Sequence, residues 1–346
     1  MKHFLKKVLI KIIVRYFSDT ITGQNPVTVR KILIVRQDNR MGNLLFITPL
    51  IKALGAYLQG AEIFVITGWM FKDLLENNPF VSSVICYDQK KFLMNPMLFV
   101  KFLKRLRRNP FDAVIDCKRD FSLNNALIIA ASRSGCKIGF ESNAAPGIYS
   151  RTVARPPLRN HESQILMLLA GPLIQEIKKT PMEYYISHYE SEWAQKKMAE
   201  IGFGGFERRK VLGVHPGARG LKQWPIELLI KVIDRMAENK ELSILVFLGP
   251  NEEEIAMRYY INVKTVRPGS VRELGALVSK CSVMLANDSG PLHLSIALGV
   301  PTLGLFVSSP LSLYAWQERP HRYIQGKDIT VFSVAANLNE MLEVSG

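Results

Sequence analysis

The residues best suited to chemistry sit in short segments just behind apolar, strand-like runs. One is Asn287-Asp-Ser-Gly-Pro-Leu-His293, after Val283-Met-Leu-Ala286. Asp288 or Ser289 can cap the helix expected to follow. The start of that helix, Gly290 included, offers N–H groups and a favourable dipole to an anion. Each residue also has a plainer reading: Asp288 as a cap alone, His293 as a satisfied core histidine. A second segment is His215-Pro-Gly-Ala-Arg-Gly-Leu-Lys-Gln-Trp-Pro225, after Val211–Val214. Pro225 suits the first turn of a helix. Small residues with Arg219 and Lys222 can bring cations and backbone N–H groups to a diphosphate. An ordinary βα loop with exposed cations would look similar. Read together, the two segments favour phosphate binding.

A third segment, Arg36-Gln-Asp-Asn-Arg-Met-Gly-Asn43, follows the run Lys31–Arg36. Gly42 permits close backbone approach at a helix start. The segment is neither a GxGxxG fingerprint nor a Walker A loop. A dinucleotide cofactor is therefore not indicated, and no cofactor is expected.

Positioning these segments requires strands alternating with helices, and the chain alternates twice. Strand-like runs at 31–36, 62–66, 83–87, 112–117 and 137–140 are separated by helical stretches at 43–58, around 71–76, 96–107 and 123–132. The pattern lapses between Glu141 and Asn160. Helical stretches follow at 161–178 and 190–201, and Gly202, Gly204 and Gly205 mark a hinge. A second series then runs from Val211 to Phe306, and Val331–Val344 reads as a closing helix whose start is blurred by Ser333 and Asn337. Such alternation predicts doubly wound parallel sheets, which bind ligands beyond the carboxyl ends of their strands. The expected division is residues 1–17, an amphipathic basic helix; 30–160, a first Rossmann-like domain; 161–205, a helical connector; 206–330, a second such domain; and 331–346, a C-terminal tail or helix.

The chain has 346 residues and a formal net charge of +15, which suits an anionic partner. Phe4, Leu5, Val8, Leu9, Ile12, Ile13, Tyr16 and Phe17 recur in pairs four apart, with lysines and Arg15 between them. That spacing predicts a helix lying on an anionic membrane or packed on the protein. It is too short and too charged to span a bilayer. A second basic cluster is Lys101, Lys104, Arg105, Arg107 and Arg108. Nucleic acid is not an expected partner, because no reader motif accompanies the charge. Cys86, Cys117, Cys136 and Cys281 have no metal-site spacing and read as free thiols of a reducing compartment. No metal site is expected.

The ordered set Gly42-Asn43 with Thr48-Pro49, His215-Pro-Gly through Lys222-Gln-Trp-Pro225, Phe247-Leu-Gly-Pro250 and Asn287-Asp-Ser-Gly-Pro-Leu-His293 resembles glycosyltransferase family 9. That family contains the ADP-heptose:lipopolysaccharide heptosyltransferases. The resemblance covers roughly residues 30 to 310. It implies an α/β GT-B fold, two Rossmann-like domains facing across a cleft, with the acceptor on the first half and the nucleotide sugar on the second. It implies inverting, metal-independent transfer from a nucleoside diphosphate sugar, ADP-heptose above all, to a lipid-linked glycan. The enzyme would then be cytoplasmic, peripheral on the inner face of the membrane. Lys222 matches the family's donor-contacting lysine, and Asp288, Ser289, Gly290 and His293 its donor motif. Asn251 and Glu252 fall where members contact the nucleoside. The family's usual Gly-Asp is here Gly42-Asn43, and an amide cannot accept the acceptor's proton. Asp38 ranks first as the replacement base, ahead of Asp116 and Asp120. The alternative is a catalytically impaired sugar-nucleotide-binding protein.

Overall fold

The computed structural model describes residues 28–141, 147–157, 159–203, 209–249 and 262–344. The N-terminal helix, the Gly204-Gly205 part of the hinge, and Asn251 and Glu252 lie outside the described residues. The chain divides into two units, Met1–Pro181 and Met182–Gly346. The division falls within the stretch read from sequence as a connector.

The first unit carries strands β1 (Lys31–Arg36), β2 (Glu62–Gly68), β3 (Ser83–Tyr87), β4 (Ala113–Asp116), β5 (Cys136–Phe140) and β6 (Arg151–Val153). Its helices are α1 (Met41–Leu45), α2 (Thr48–Tyr57), α3 (Gln89–Met94), α4 (Pro96–Arg107), α5 (Leu123–Ala131) and α6 (Glu162–Met167). The strands form one parallel sheet ordered β3-β2-β1-β4-β5-β6. Ile32, Leu33, Ile34 and Val35 of central β1 are fully buried. A strand covered on both faces needs such an unbroken apolar run.

The second unit holds α7 (His188–Met198), β7 (Lys210–His215), α8 (Ile226–Ala237), β8 (Leu242–Phe247), β9 (Val263–Val266) and α9 (Val271–Val278). It continues with β10 (Val283–Asn287), α10 (Gly290–Ala297), β11 (Thr302–Phe306), α11 (Leu311–Tyr314), β12 (Arg322–Gln325) and α12 (Val331–Val344). Its parallel sheet is ordered β12-β11-β10-β7-β8-β9. Counted from each unit's own first strand, both sheets have the order 3-2-1-4-5-6. The point where this order reverses lies between strands one and four, the usual ligand crevice of an open α/β sheet.

Some elements depart from the sequence reading. The helix expected over 43–58 is two, α1 and α2, joined at Phe46-Ile47. The helical stretch near 71–76 is a 3₁₀ segment, Trp69–Leu75, with non-helical dihedrals at Phe71. The helix expected over 161–178 stops early: α6 passes into a 3₁₀ turn ending at Ala170. Gly171-Pro172 explains the stop: Gly171 keeps helical dihedrals, but Pro172 has no N–H to continue the hydrogen-bond ladder.

Candidate functional site

In the second unit, two neighbouring strand ends build one polar cluster. Asn287, the last residue of β10, is 2% exposed. Its Nδ2 donates to the Pro216 carbonyl at 2.7 Å, and its Oδ1 accepts from the Trp224 N–H at 3.0 Å. One amide thus ties both ends of the loop that follows β7. Trp224 is itself buried in the core beneath α8. Inside the loop, Gly220 has φ +58°, a conformation that favours glycine. The 3₁₀ turn Gly220–Lys222 then aims Lys222 back toward β10.

Lys222 Nζ lies 2.5 Å from Asp288 Oδ2, and His293 Nε2 lies 3.4 Å from Asp288 Oδ1. Burial works to raise the pKa of Asp288. Hydrogen bonding and charge from His293, then the Lys222 bond, outweigh it and hold the carboxyl well below the usual range. Lys222 Nζ also sits 5.0 Å from the centre of the Tyr314 ring. The ammonium is therefore fixed by an anion and an aromatic face, yet its side chain stays 40% exposed. An ammonium carries three donors. Asp288 occupies one of them.

Neither Asp288 nor Ser289 caps α10, contrary to the sequence expectation. Asp288 turns to Lys222 and His293 instead. Ser289 occupies the N-cap position without a side-chain cap bond, and its Oγ is buried with no hydrogen-bond partner among the described residues. Gly290 is the first residue of α10. The opening N–H groups of a helix have no partner within it. This helix start thus keeps its donors and its positive dipole end available. Pro225 is likewise corrected: it precedes α8 as N-cap. Arg219, at the head of the same loop, is exposed.

In the first unit, Asp38 follows β1. Arg36 Nε lies 3.1 Å from its Oδ2, and Asn43 Nδ2 donates to its Oδ1 at 2.9 Å. Arg36 also donates to the Cys117 carbonyl. Asn43 thus orients the neighbouring carboxylate, and Gly42 beside it lies within α1. Asp116, the last residue of β4, sits in a different network. Asn125 Nδ2 donates to it at 2.6 Å and Tyr149 Oη at 2.7 Å, while Gln37 Nε2 donates to Asn125 at 3.0 Å. Burial raises the Asp116 pKa against these hydrogen bonds. Asp120 is 79% exposed, 3.8 Å from Arg155. Among the described residues, no three His, Cys, Asp or Glu side chains are grouped to hold a metal ion.

The model of the family described as glycosyltransferase family 9 (heptosyltransferase) matches residues 99–324, more than half of the chain. The chain belongs to glycosyltransferase family 9. It is a glycosyltransferase, and its fold is GT-B. It is 22% identical over 286 residues to the lipopolysaccharide core heptosyltransferase OpsX of Haemophilus influenzae, covering 80% of this chain and 79% of that one. It is 24% identical over 281 residues to lipopolysaccharide heptosyltransferase 3 of Escherichia coli, covering 77% and 80%. A family 9 glycosyltransferase from Veillonella parvula has a similar structure, with TM-score 0.80, 17% identity, and coverage of 92% of this chain and 98% of that one. So does the Escherichia coli heptosyltransferase WaaC with ADP, with TM-score 0.75, 19% identity, and coverage of 90% and 99%.

Of the residues singled out from sequence in this family 9 chain, Lys222, Asp288, Ser289, Gly290 and His293 come together, as do Asp38 and Asn43 within the other unit. Sequence reasoning gave no part to Arg36, Asn287 or Tyr314. Asn287 carried a signal, a polar residue ending an otherwise apolar buried strand. Tyr314 carried none, because only folding brings α11 to the loop after β7.

Proposed function

We propose that this glycosyltransferase moves a heptose from ADP-heptose to the core of lipopolysaccharide or a related lipid-linked glycan, inverting the anomeric centre and requiring no metal. The observation that carries the reading is the half-exposed Lys222 ammonium, pinned by Asp288 beside the uncapped start of α10. Transfer demands stabilisation of a diphosphate as charge develops on it, and fixed cations with preorganised N–H dipoles supply this. Lys222 keeps donors for the phosphate oxygens, Arg219 adds an exposed cation, and Ser289 Oγ and the Gly290 end of α10 contribute hydrogen bonds. In the first unit, Asp38 accepts the proton of the acceptor hydroxyl as its oxygen attacks the anomeric carbon. The bond from that carbon to the diphosphate oxygen breaks, and ADP leaves with the electron pair. Asn43 holds Asp38 for this step. Asn251 and Glu252 are assigned to the nucleoside. The domain division at 30–160, 161–205 and 206–330 is part of the same reading.

We place the enzyme on the inner face of the cytoplasmic membrane, held by the basic amphipathic sequence of residues 1–17. Among the described residues, no helix is long and apolar enough to cross a membrane. Thermal shift of the purified chain against a panel of nucleoside diphosphate sugars tests the donor. Mass spectrometry of a lipopolysaccharide-core acceptor then tests transfer. Stabilisation by ADP-heptose with acceptor mass gain is expected. Stabilisation without mass gain would favour the non-catalytic alternative, and no response to any sugar nucleotide would sink both.

A further inference from the structure

The elbow between α3 and α4 turns at Asn95, which ends α3 and caps α4 by accepting from the Met97 N–H at 3.1 Å. Its underside is aromatic and fixed. Phe92, Phe99 and Phe102 surround Tyr87 of β3, with ring centres 5.1, 6.2 and 5.9 Å away. Its outer side is aliphatic and open: Leu93 is 74% exposed, Met94 86%, Met97 61%, Leu98 39% and Val100 41%. Contiguous apolar exposure of this kind marks a docking surface.

Charge identifies what docks. From Gln89 to Asn109 the chain has no acidic residue; on one side of the aliphatic tip lie Lys90 and Lys91, the latter 3.6 Å from Asp88. On the other, the outer face of α4 continues as Lys101, Lys104 and Arg105, followed by Arg108. These four are exposed and have no ion-pair partner among the described residues. An aliphatic tip rimmed by cations suits the boundary between anionic headgroups and acyl chains. A folded protein partner would need an acidic groove around an apolar floor, whereas an anionic bilayer offers both layers everywhere.

The geometry points to the α3–α4 elbow as an insertion site for an anionic phospholipid surface, with Leu93, Met94 and Met97 entering the acyl boundary and the basic rim meeting lipid phosphates. This contact is separate from residues 1–17, and it rests on the reading that the enzyme works at a membrane.

The test is co-sedimentation of the full chain with phosphatidylglycerol-containing vesicles and with neutral phosphatidylcholine vesicles. Leu93→Ser/Met94→Ser/Met97→Ser is expected to weaken binding to the anionic vesicles at least about tenfold, with melting temperature and donor-induced thermal shift unchanged. Lys101→Glu/Lys104→Glu/Arg105→Glu should weaken it similarly and reduce its salt dependence. Met94→Trp should add fluorescence that acyl-brominated lipids quench. Elbow variants that sediment like the wild type, or an unquenched Trp at position 94, overturn the proposal. If Lys6→Glu/Lys7→Glu/Lys11→Glu alone abolishes binding, the membrane reading stands and the elbow is discarded. A wild type that ignores anionic vesicles removes both. A change of oligomeric state in the serine variant without loss of vesicle binding would assign the elbow to a second copy of the chain.

Discussion

Asp116 and Asp288 occupy matching places in the two units and are held in opposite ways. Asp116 ends the fourth strand of the first sheet, and Asp288 follows the fourth strand of the second. Both are buried, at 3% and 4% exposure. Asp116 is met by an amide, a phenol and a backbone N–H, the Arg36 charge adds a weaker pull, and burial raises its pKa despite them. Asp288 is less deeply desolvated, and His293 and Lys222 drive its pKa down. Shallower burial and cations in direct contact make the difference, since neutral donors satisfy a carboxylate's lone pairs without compensating its charge. One crevice has become a polar core. Its counterpart has become a mount for an ammonium ion.

Asp38 belongs to neither case, being 20% exposed with one cation and one amide against it. The largest effect is expected there. Asp38→Asn should lower transfer by about 10²–10⁴-fold, the range for a placed acid–base group, while donor binding persists. Steady-state kinetics beside donor thermal shift measures both, and an active variant with an unaltered pH profile removes Asp38 from the chemistry.

Next come the two ends of the ammonium mount. Lys222→Ala loses a charge-assisted contact worth about 1.5–3 kcal/mol, or about 10- to 150-fold in donor affinity or turnover. Asp288→Asn should follow it in the same direction, because the lysine loses its anchor. If Asp288→Asn leaves donor affinity intact while Lys222→Ala does not, the carboxylate is no part of the mount.

Asn43→Asp is a smaller and sharper test. It would set two carboxylates at the 2.9 Å separation now bridged by the Asn43 amide. Such a pair shares a proton. Transfer at neutral pH should then be no higher than in the wild type. A rise would show that the site had lacked its base, and Asp38 would lose that role.

Asp116→Asn should change least. An amide at position 116 can accept from Asn125 and donate to the Tyr149 oxygen, so stability near pH 7 should move by less than about 1.5 kcal/mol. Its mark is in the pH dependence. A carboxyl whose pKa is raised on folding favours the native state below its unfolded value, about 3.9, and that contribution is lost as pH rises through the folded value. Thermal unfolding should therefore show the wild type gaining on Asp116→Asn as pH falls from 7 toward 4. Asp288 has the opposite sign: its contribution is present above about 3.9 and lost as pH falls toward its folded value. An Asp116→Asn curve parallel to the wild type would dissolve the contrast between the two crevices.

Periodicity made the sheets readable. The central strands are unbroken apolar runs, and α4 and α12 span the residues their spacing predicts. The other three edge strands were harder than β3, which was read at its full length. The sequences of β6, β9 and β12 mix charge with apolar residues, and β6 lies where Pro and Gly erase the pattern. Ser333, which blurred the start of α12, helps make it: its N–H donates to Thr330 Oγ1 at 3.0 Å, and its own Oγ accepts from the Thr330 N–H at 3.0 Å. The residues after β7 and β10 were legible because they are contiguous motifs, but their division of labour was not. Whether Asp288 caps a helix or holds a lysine depends on side-chain direction, which spacing does not encode. The Asp38–Asn43 pair was legible only as a departure from family pattern; that the amide serves the carboxylate emerged from their contact.

The Asn287 amide touches only main-chain atoms at the two ends of the loop after β7, the carbonyl of Pro216 and the N–H of Trp224. With Gly220 kept for its backbone conformation and Lys222 for its pairing with Asp288, the other residues of 217–223 therefore form a replaceable cassette. Their side chains can vary without loosening either attachment, since neither attachment reads a side chain of the loop. A library randomised over that cassette, with Asn287 and Trp224 held constant, would explore new leaving groups on an undisturbed chassis, whereas a change at Asn287 would release both ends together.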